Sequence, residues 1–372
     1  MPRKKQTFYT RGQLRNNIFA VGEHEHKVYM PNEIFDELIN GLNNDRGEYV
    51  AGFYDVEGNK INDFKSSTHI SYAYAYIYLS HYMYRYCKFY TNGYLSKDID
   101  EKMIKQNLGF PATSDTYTYI SKKGGVLERL GYIKKESDKP FQYNLCETQY
   151  LSEHLNEIWI LDYFDMESEL TSVFCNSKNR KINYPLKAFE RDVELSEDDT
   201  VIDDRTGTFW HIKNTHMIDI DVFIFCMADP DIGVEGFYLY SFMFSKCGLS
   251  GVLRCSIKKI VTQTGLGIKT VRTQLENLEK RNMISNDHKP YCLDKKDWQI
   301  TKTNDYGVLP YSEFISNELD FKEIPKQRRI SAKRYQKEIG FVINEENEAE
   351  YSEEITHTKK YNLLRPEKLN KI

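Results

Sequence analysis

The chain has little of what commits a protein to a membrane, a disulfide framework or nucleotide hydrolysis. Its longest uninterrupted apolar run with tyrosine left out, Val222 to Ala228, is far short of the ~18–20 residues a membrane helix needs. No apolar stretch follows Met1-Pro-Arg-Lys-Lys to make a secretory signal, so a cytoplasmic chain with no membrane partner is expected. Cys87, Cys146, Cys175, Cys226, Cys247, Cys255 and Cys292 are scattered, odd in number and never spaced C-x-x-C. That pattern writes neither a zinc ribbon nor a set of paired disulfides, and reduced thiols are expected. No G-x-x-x-x-G-K-[ST] phosphate loop is present, so ATP-driven work would have to come from a partner.

A strong net charge is missing too. The formal total is -4, but the charges are segregated along the chain, so the sum describes no one surface. Residues 1–26 are basic and 190–204 acidic. Phe321–Gly340 carries Lys322, Lys326, Arg328, Arg329, Lys333, Arg334 and Lys337 against Glu323 and Glu338. Six glutamates between Glu345 and Glu354 then reverse the sign. What the chain does have is enough apolar matter to fold, at 40% of 372 residues, and a length that favours two or three domains. Tyrosine is abundant, at 28. Such rings can stack on bases, but most are expected to be buried amphipathic rings that need no ligand.

Periodicity suggests a basic flexible tail over 1–26, then a strand from Lys27 entering a helix near Asn32. Turn-rich sequence occupies Asn43–Asp63. Helices are expected over Ile70–Tyr90, over Lys97–Leu108 ending at Gly109, and from Ser114 or Asp115 to Gly131. Strands Tyr132–Lys135 and Phe141–Leu145 would close a hairpin. The same order returns as helices Val234–Cys247, Ser256–Thr264 and Ile268–Arg281, with a hairpin of Met283–Ser285 and Tyr291–Leu293. Ile120, Leu127 and Ile133 map onto Val271, Leu278 and Ile284 at one spacing of 151 (271 − 120, 278 − 127, 284 − 133). Leu79, Met83 and Cys87 map onto Leu239, Met243 and Cys247 at a different spacing of 160 (239 − 79, 243 − 83, 247 − 87), which points to duplication with loops of changed length. Between the copies, Thr206–Lys213 and Ile218–Met227 look like strands.

The expected fold class is therefore α+β and predominantly helical. Two tandem winged-helix domains, 27–150 and 218–305, would flank a mixed, strand-containing connecting region over 151–217 with an acidic linker. A charged extension would occupy 306–372.

The stretch from Ser256 to Ile284 is the most informative. Gly265 and Gly267 supply a tight turn between two helices, and Ile268, Val271, Leu275 and Leu278 have the spacing of a buried stripe. Lys269, Thr270, Arg272, Thr273 and Asn277 then face away from it, offering short donors and cations to base edges and phosphates from a helix in the major groove. Lys289 in the following hairpin would grip phosphate. In the first copy the corresponding face is Thr116, Thr118, Ser121, Lys122 and Lys123, with Lys139 in its hairpin.

Ile220-Asp-Val-Phe-Ile-Phe, then Tyr238–Cys247, then Ser256–Ile284 resembles the winged-helix module of plasmid and phage replication proteins from low-GC Gram-positive bacteria. It is also similar to the duplicated winged-helix pair of theta-type plasmid replication initiators, most closely over 220–284 and more loosely over 70–145. The resemblance implies binding of double-stranded DNA at the direct repeats of an origin. It further implies a homodimer and host replication proteins, a helicase or its loader, as partners. One winged helix would mix DNA contact with dimerisation while the other reads the repeat. Gly124-Gly125 departs from the pattern by interrupting the first copy's third helix, so the second copy is expected to be the reader.

Catalysis, metal and cofactors are not expected. His24-Glu25-His26 has a charged centre where a rolling-circle nickase carries an apolar residue between its metal-binding histidines. Asp219 and Asp221 could mimic the paired carboxylates of a magnesium site, but no third carboxylate or nucleotide loop accompanies them, and an N-cap or strand edge explains them. The rival readings are a winged-helix transcriptional regulator or phage repressor, which would make the same contacts, and a non-catalytic scaffold that recruits proteins.

Overall fold

The computed structural model describes residues 8–18, 27–40, 64–85, 101–136, 142–146, 159–162, 181–189, 194–195, 201–203, 214–291 and 303–339. The turn-rich 43–63, His24 to His26, the expected strand 206–213, Lys139 and the acidic 345–354 lie outside them. The architecture is mixed α and β, with helices and small antiparallel sheets. The chain divides into one unit of Met1–Tyr238 with Gln263–Gly265, and a second of Leu239–Thr262 with Leu266–Ile372.

The first unit is organised on helix α3 (Ser67–Arg85). Tyr72, Tyr74, Tyr76 and Tyr78 alternate with Ala73, Ala75 and Ile77, and every one of these side chains is buried. A helix apolar all round must lie at the centre of a core, because no face is left for water. The hydroxyls of Tyr74, Tyr76 and Tyr78 are satisfied internally, whereas that of Tyr72 is buried without a hydrogen-bond partner among the described residues. Tyr74 meets Nε2 of His216 at 2.7 Å, Tyr78 donates to the Ile218 carbonyl at 3.0 Å and Tyr76 to Glu101 at 2.5 Å. These tyrosines are core residues packed against other rings: Tyr72 tilted on Tyr76, Tyr74 edge-on to Tyr238 and Tyr78 stacked on Phe223.

Around α3 stand helices α1 (Arg11–Ile18), α2 (Ile34–Asn40), α4 (Glu101–Asn107), α5 (Thr118–Ser121), α6 (Val126–Arg129), α7 (Leu186–Phe189) and α8 (Ile220–Ala228). Part of the stretch expected as a flexible tail is thus the helix α1. It buries Leu14 and Ile18, lays Arg11 over Phe225 at 4.1 Å and pairs Arg15 with Asp221 at 2.6 Å. The expected strand over Ile218–Met227 is corrected as well. Strand β8 (Thr215–Asp219) pairs with β1 (Lys27–Pro31), and α8 begins at Ile220 because the Asp219 carboxylate accepts the Asp221 N–H at 2.8 Å. A short apolar run suits strand and buried helix equally, and the cap decides between them.

The first hairpin expected from sequence does not form. Strand β2 (Lys134–Glu136) pairs with β5 (Ile182–Tyr184), and β3 (Gln142–Cys146) pairs with β4 (Trp159–Asp162). The 190–204 stretch contains the small antiparallel pair β6 (Glu194–Leu195) and β7 (Val201–Asp203).

Helix α9 (Gly233–Cys247) runs into the second unit. Strand β9 (Val252–Cys255), helices α10 (Ile257–Thr264) and α11 (Ile268–Lys280), and strands β10 (Ile284–Asn286) and β11 (Asn304–Val308) follow. The sheet is antiparallel in the order β10-β11-β9, with Ile284 opposite Val308 and Asn304 opposite Cys255. The partner of β10 is therefore 304–308, not the expected 291–293. Tyr291 is already engaged, donating its N–H to the Arg328 carbonyl at 2.9 Å and accepting from Ile330 N–H at 3.0 Å. A last helix, α12 (Ala332–Ile339), carries buried Tyr335 beside Ile330.

The two segments matched at a spacing of 151 share a backbone signature. Tyr132 N–H bonds the Leu127 carbonyl and Gly131 N–H the Glu128 carbonyl. One spacing of 151 later, Met283 N–H bonds the Leu278 carbonyl and Asn282 N–H the Glu279 carbonyl. These nested bonds are a Schellman helix end, which requires a left-handed residue at its close. Gly131 has φ +72 and Asn282 φ +54. Ile120, Leu127, Ile133, Val271, Leu278 and Ile284 are all fully buried.

Candidate nucleic-acid interface

Helix α11 forms because Ile268 to Lys280 contains neither Gly nor Pro and repeats apolar residues at 271, 275 and 278. Val271, Gln274, Leu275, Leu278 and Glu279 are buried on that side. Lys269, Arg272 and Thr273 are exposed, while Thr270 and Asn277 are half-buried at the margins. The helix brings all five expected residues to its outward side. Among the described residues, neither Lys269 nor Arg272 has an ion-pair partner. Two residues of this side were missed by the sequence reading. Ile268 was assigned to the buried stripe and is 47% exposed. Glu276 stands among the polar residues and pairs with Lys280 at 2.6 Å, one turn on.

The two halves of α11 differ. Its C-terminal carbonyls are taken by the segment after β11: Ile315 N–H bonds Arg281 O at 2.8 Å and Lys322 N–H bonds Lys280 O at 2.9 Å. Asn282 Nδ2 bonds Glu313 O at 2.8 Å, and the Arg281 guanidinium lies 4.4 Å from the Phe321 ring centre. These bonds satisfy carbonyls that a helix end otherwise leaves open, and they cover that end. Among the described residues the N-terminal turn has no such hydrogen-bonded cover. Gly267 caps it without a side-chain bond, and Gly265, Gly267, Ile268 and Lys269 are all exposed. Lys258 and Lys259 are exposed on the preceding helix, which Ser256 caps through the Lys259 N–H at 3.2 Å.

Lys289 does not offer itself to phosphate. Its ammonium lies 2.9 Å from Asp287, 3.0 Å from Asp305 and 2.9 Å from the Thr303 carbonyl, with its side chain 19% exposed. Two carboxylates fix one cation there because the antiparallel pairing of β10 with β11 brings Asp287 and Asp305 together, which spacing along the chain does not reveal. Arg254 adds a second cation to Asp305 at 2.8 Å. Burial raises the Asp305 carboxyl, but the hydrogen bonds and charges of Arg254 and Lys289 outweigh it and hold it below its ordinary value of 3.8. Nearby, His288 Nε2 stands 2.5 Å from Glu279 and ties the turn to α11. Burial of Glu279 raises its carboxyl, partly opposed by His288.

The first-copy face is only partly available. Thr116, Lys122 and Lys123 are exposed, but Ser121 is fully buried and donates to Glu101. Thr118 accepts from the buried Lys105 at 3.1 Å. The third helix breaks at Gly124-Gly125 into α5 and α6. Ser121 and Thr118 therefore serve a polar network joining α3, α4 and β2, in which Lys135 contacts Tyr76, Glu101 and Asn183. Burial lowers the Lys135 ammonium, partly offset by Glu101.

Asp219 caps α8 and Asp221 pairs with Arg15, so neither carboxylate is an open ligand. Among the described residues no group of three His, Cys, Asp or Glu gathers to hold a metal, and no helix is long and apolar enough to cross a membrane. The chain matches no family model, no curated protein and no solved structure.

Proposed function

We propose that residues 233–308 form a winged helix and that the chain binds double-stranded DNA sequence-specifically, as a plasmid or phage replication initiator does at repeated origin sites. The observation that carries this reading is the pairing of two features. Helices α10 and α11 join through a tight turn beside a three-stranded antiparallel sheet, and α11 projects Lys269, Arg272 and Thr273 from an uncovered N-terminal half. The N-terminal residues of a recognition helix are those that reach base edges, and Arg bidentate to guanine is the commonest specific contact. The Schellman signature shared by the copies supports a duplicated module, with the first copy serving a second half-site or dimer contact. No step of this function requires a cofactor or a catalytic group.

The test is selection of the full chain against random duplex DNA, followed by locating the enriched motif in the replicon that encodes it. Direct repeats beside the gene are the expected outcome. A palindrome at a promoter would assign the chain to transcriptional regulation, and absence of any enriched motif would end the sequence-specific reading.

A further inference from the structure

We infer that Ile268 is a specificity-determining residue that reads the 5-methyl group of a thymine; this rests on the DNA-binding reading above. Among the described residues, Ile268 and Leu319 are the large apolar side chains left exposed, at 47% and 92%. Helical spacing puts Ile268 three residues before Val271 and seven before Leu275, on the edge of the buried stripe, yet nothing covers it as it covers those two. The cause is its position. It is the first residue of α11, between the exposed Gly267 and Lys269, while the backbone at Gly265 lies against Ile70 and Ile39 and Leu266 is buried.

An isoleucine half in water adds little to folding, since stabilisation follows the apolar area removed from water. What distinguishes it is its surroundings. Lys269 is its neighbour and Arg272 lies one turn on, on the same side of the helix and both exposed. Leu319 instead sits between Glu318 and Asp320, a setting that repels a polyanion. An apolar group flanked by two cations, on the turn that leads a helix into the major groove, meets one matching feature there. Thymine is the base that displays a methyl group, and apolar contact is how it is read. Ile268 and Arg272 together would then specify a thymine close to a guanine.

The test replaces each thymine of the selected motif, one at a time, by deoxyuridine, which deletes the methyl and leaves base pairing intact. At one position the substitution is expected to weaken binding by the full chain about fourfold, the equivalent of one buried CH₂ group. For Ile268→Ala the same substitution should change nothing, while Ile268→Val should keep most of the penalty. Unchanged thermal unfolding of both variants is the control, expected because the side chain is half exposed. The inference is overturned if no deoxyuridine position affects the wild type, if Ile268→Ala keeps the full penalty, or if the motif contains no thymine. Failure to enrich a motif at all would remove the DNA-binding reading itself. A motif bound through Arg272 but insensitive to the methyl removes only this inference.

Discussion

Arg272 and Lys289 looked alike as cations on a candidate DNA surface, and their surroundings separate them. Arg272→Ala is expected to cost about 1–3 kcal/mol of specific binding and to relax preference at one base position, read by titrating single-base variants of the selected site. Lys289→Ala is expected to leave the salt dependence of DNA binding unchanged. It should instead destabilise the fold by roughly 1–3 kcal/mol, because Asp287 and Asp305 lose a shared partner in a half-buried turn. Denaturant unfolding distinguishes the two outcomes. Asp305 also makes a pH prediction. Its carboxyl is held below 3.8 when folded, so its contribution is present above the unfolded value and is lost as pH falls through the folded one. Wild type should exceed Asp305→Asn in stability at pH 6, and the gap should close below pH ~4.

At the level of elements, the turn between α10 and α11 is constrained at Gly265. Gly265 has φ +65, and a Cβ there would lie 2.8 Å from Ile70 Cδ1 and 3.4 Å from Ile39 Cγ1. Gly265→Ala therefore combines left-handed strain of roughly 1–2 kcal/mol with a clash. Gly131→Ala, whose Cβ would meet only Lys187 Cε at 3.9 Å, carries the strain alone. The first substitution should lower the unfolding midpoint more than the second, and equal effects would show that the Ile70 contact yields freely. The helices that were readable in sequence are those whose stops are local: Gly109, Gly131 and Asn282 close helices with positive φ, whereas α1 and the strand-like run of α8 were not read as helices. The strand pairings were not. Tyr132–Lys135 is a strand candidate wherever its partner lies, and only long-range packing selects 182–184 over 141–145.

For the whole molecule, a net charge of -4 coexists with a cationic α11 tip and with exposed Arg329, Lys333 and Lys337 near the described C-terminal end. Binding should follow local charge rather than the total. The logarithm of affinity is expected to fall linearly with the logarithm of salt concentration, with a slope of about −0.9 per phosphate engaged. The double variant Lys333→Ala with Lys337→Ala should reduce that slope by up to about 2 if the arm tracks the backbone. An unchanged slope would assign those lysines to solvent. Arg328 and Arg334 are the less suitable candidates, since both engage Glu338.

The sequence by itself determined the helices around 70–85, 101–107, 233–247, 257–264 and 268–280, the mixed α and β character and the outward side of α11, because periodicity and capping act within one or two turns. At the same spacing of 151 nested hydrogen bonds of one kind recur in the backbone. Tertiary structure alone decided which strands pair, that Ser121 and Lys289 are occupied, that 220–228 is a capped helix, and that Ile268 stays in water. Each of these depends on groups distant in the chain, whose burial and charge neutralisation no local pattern records.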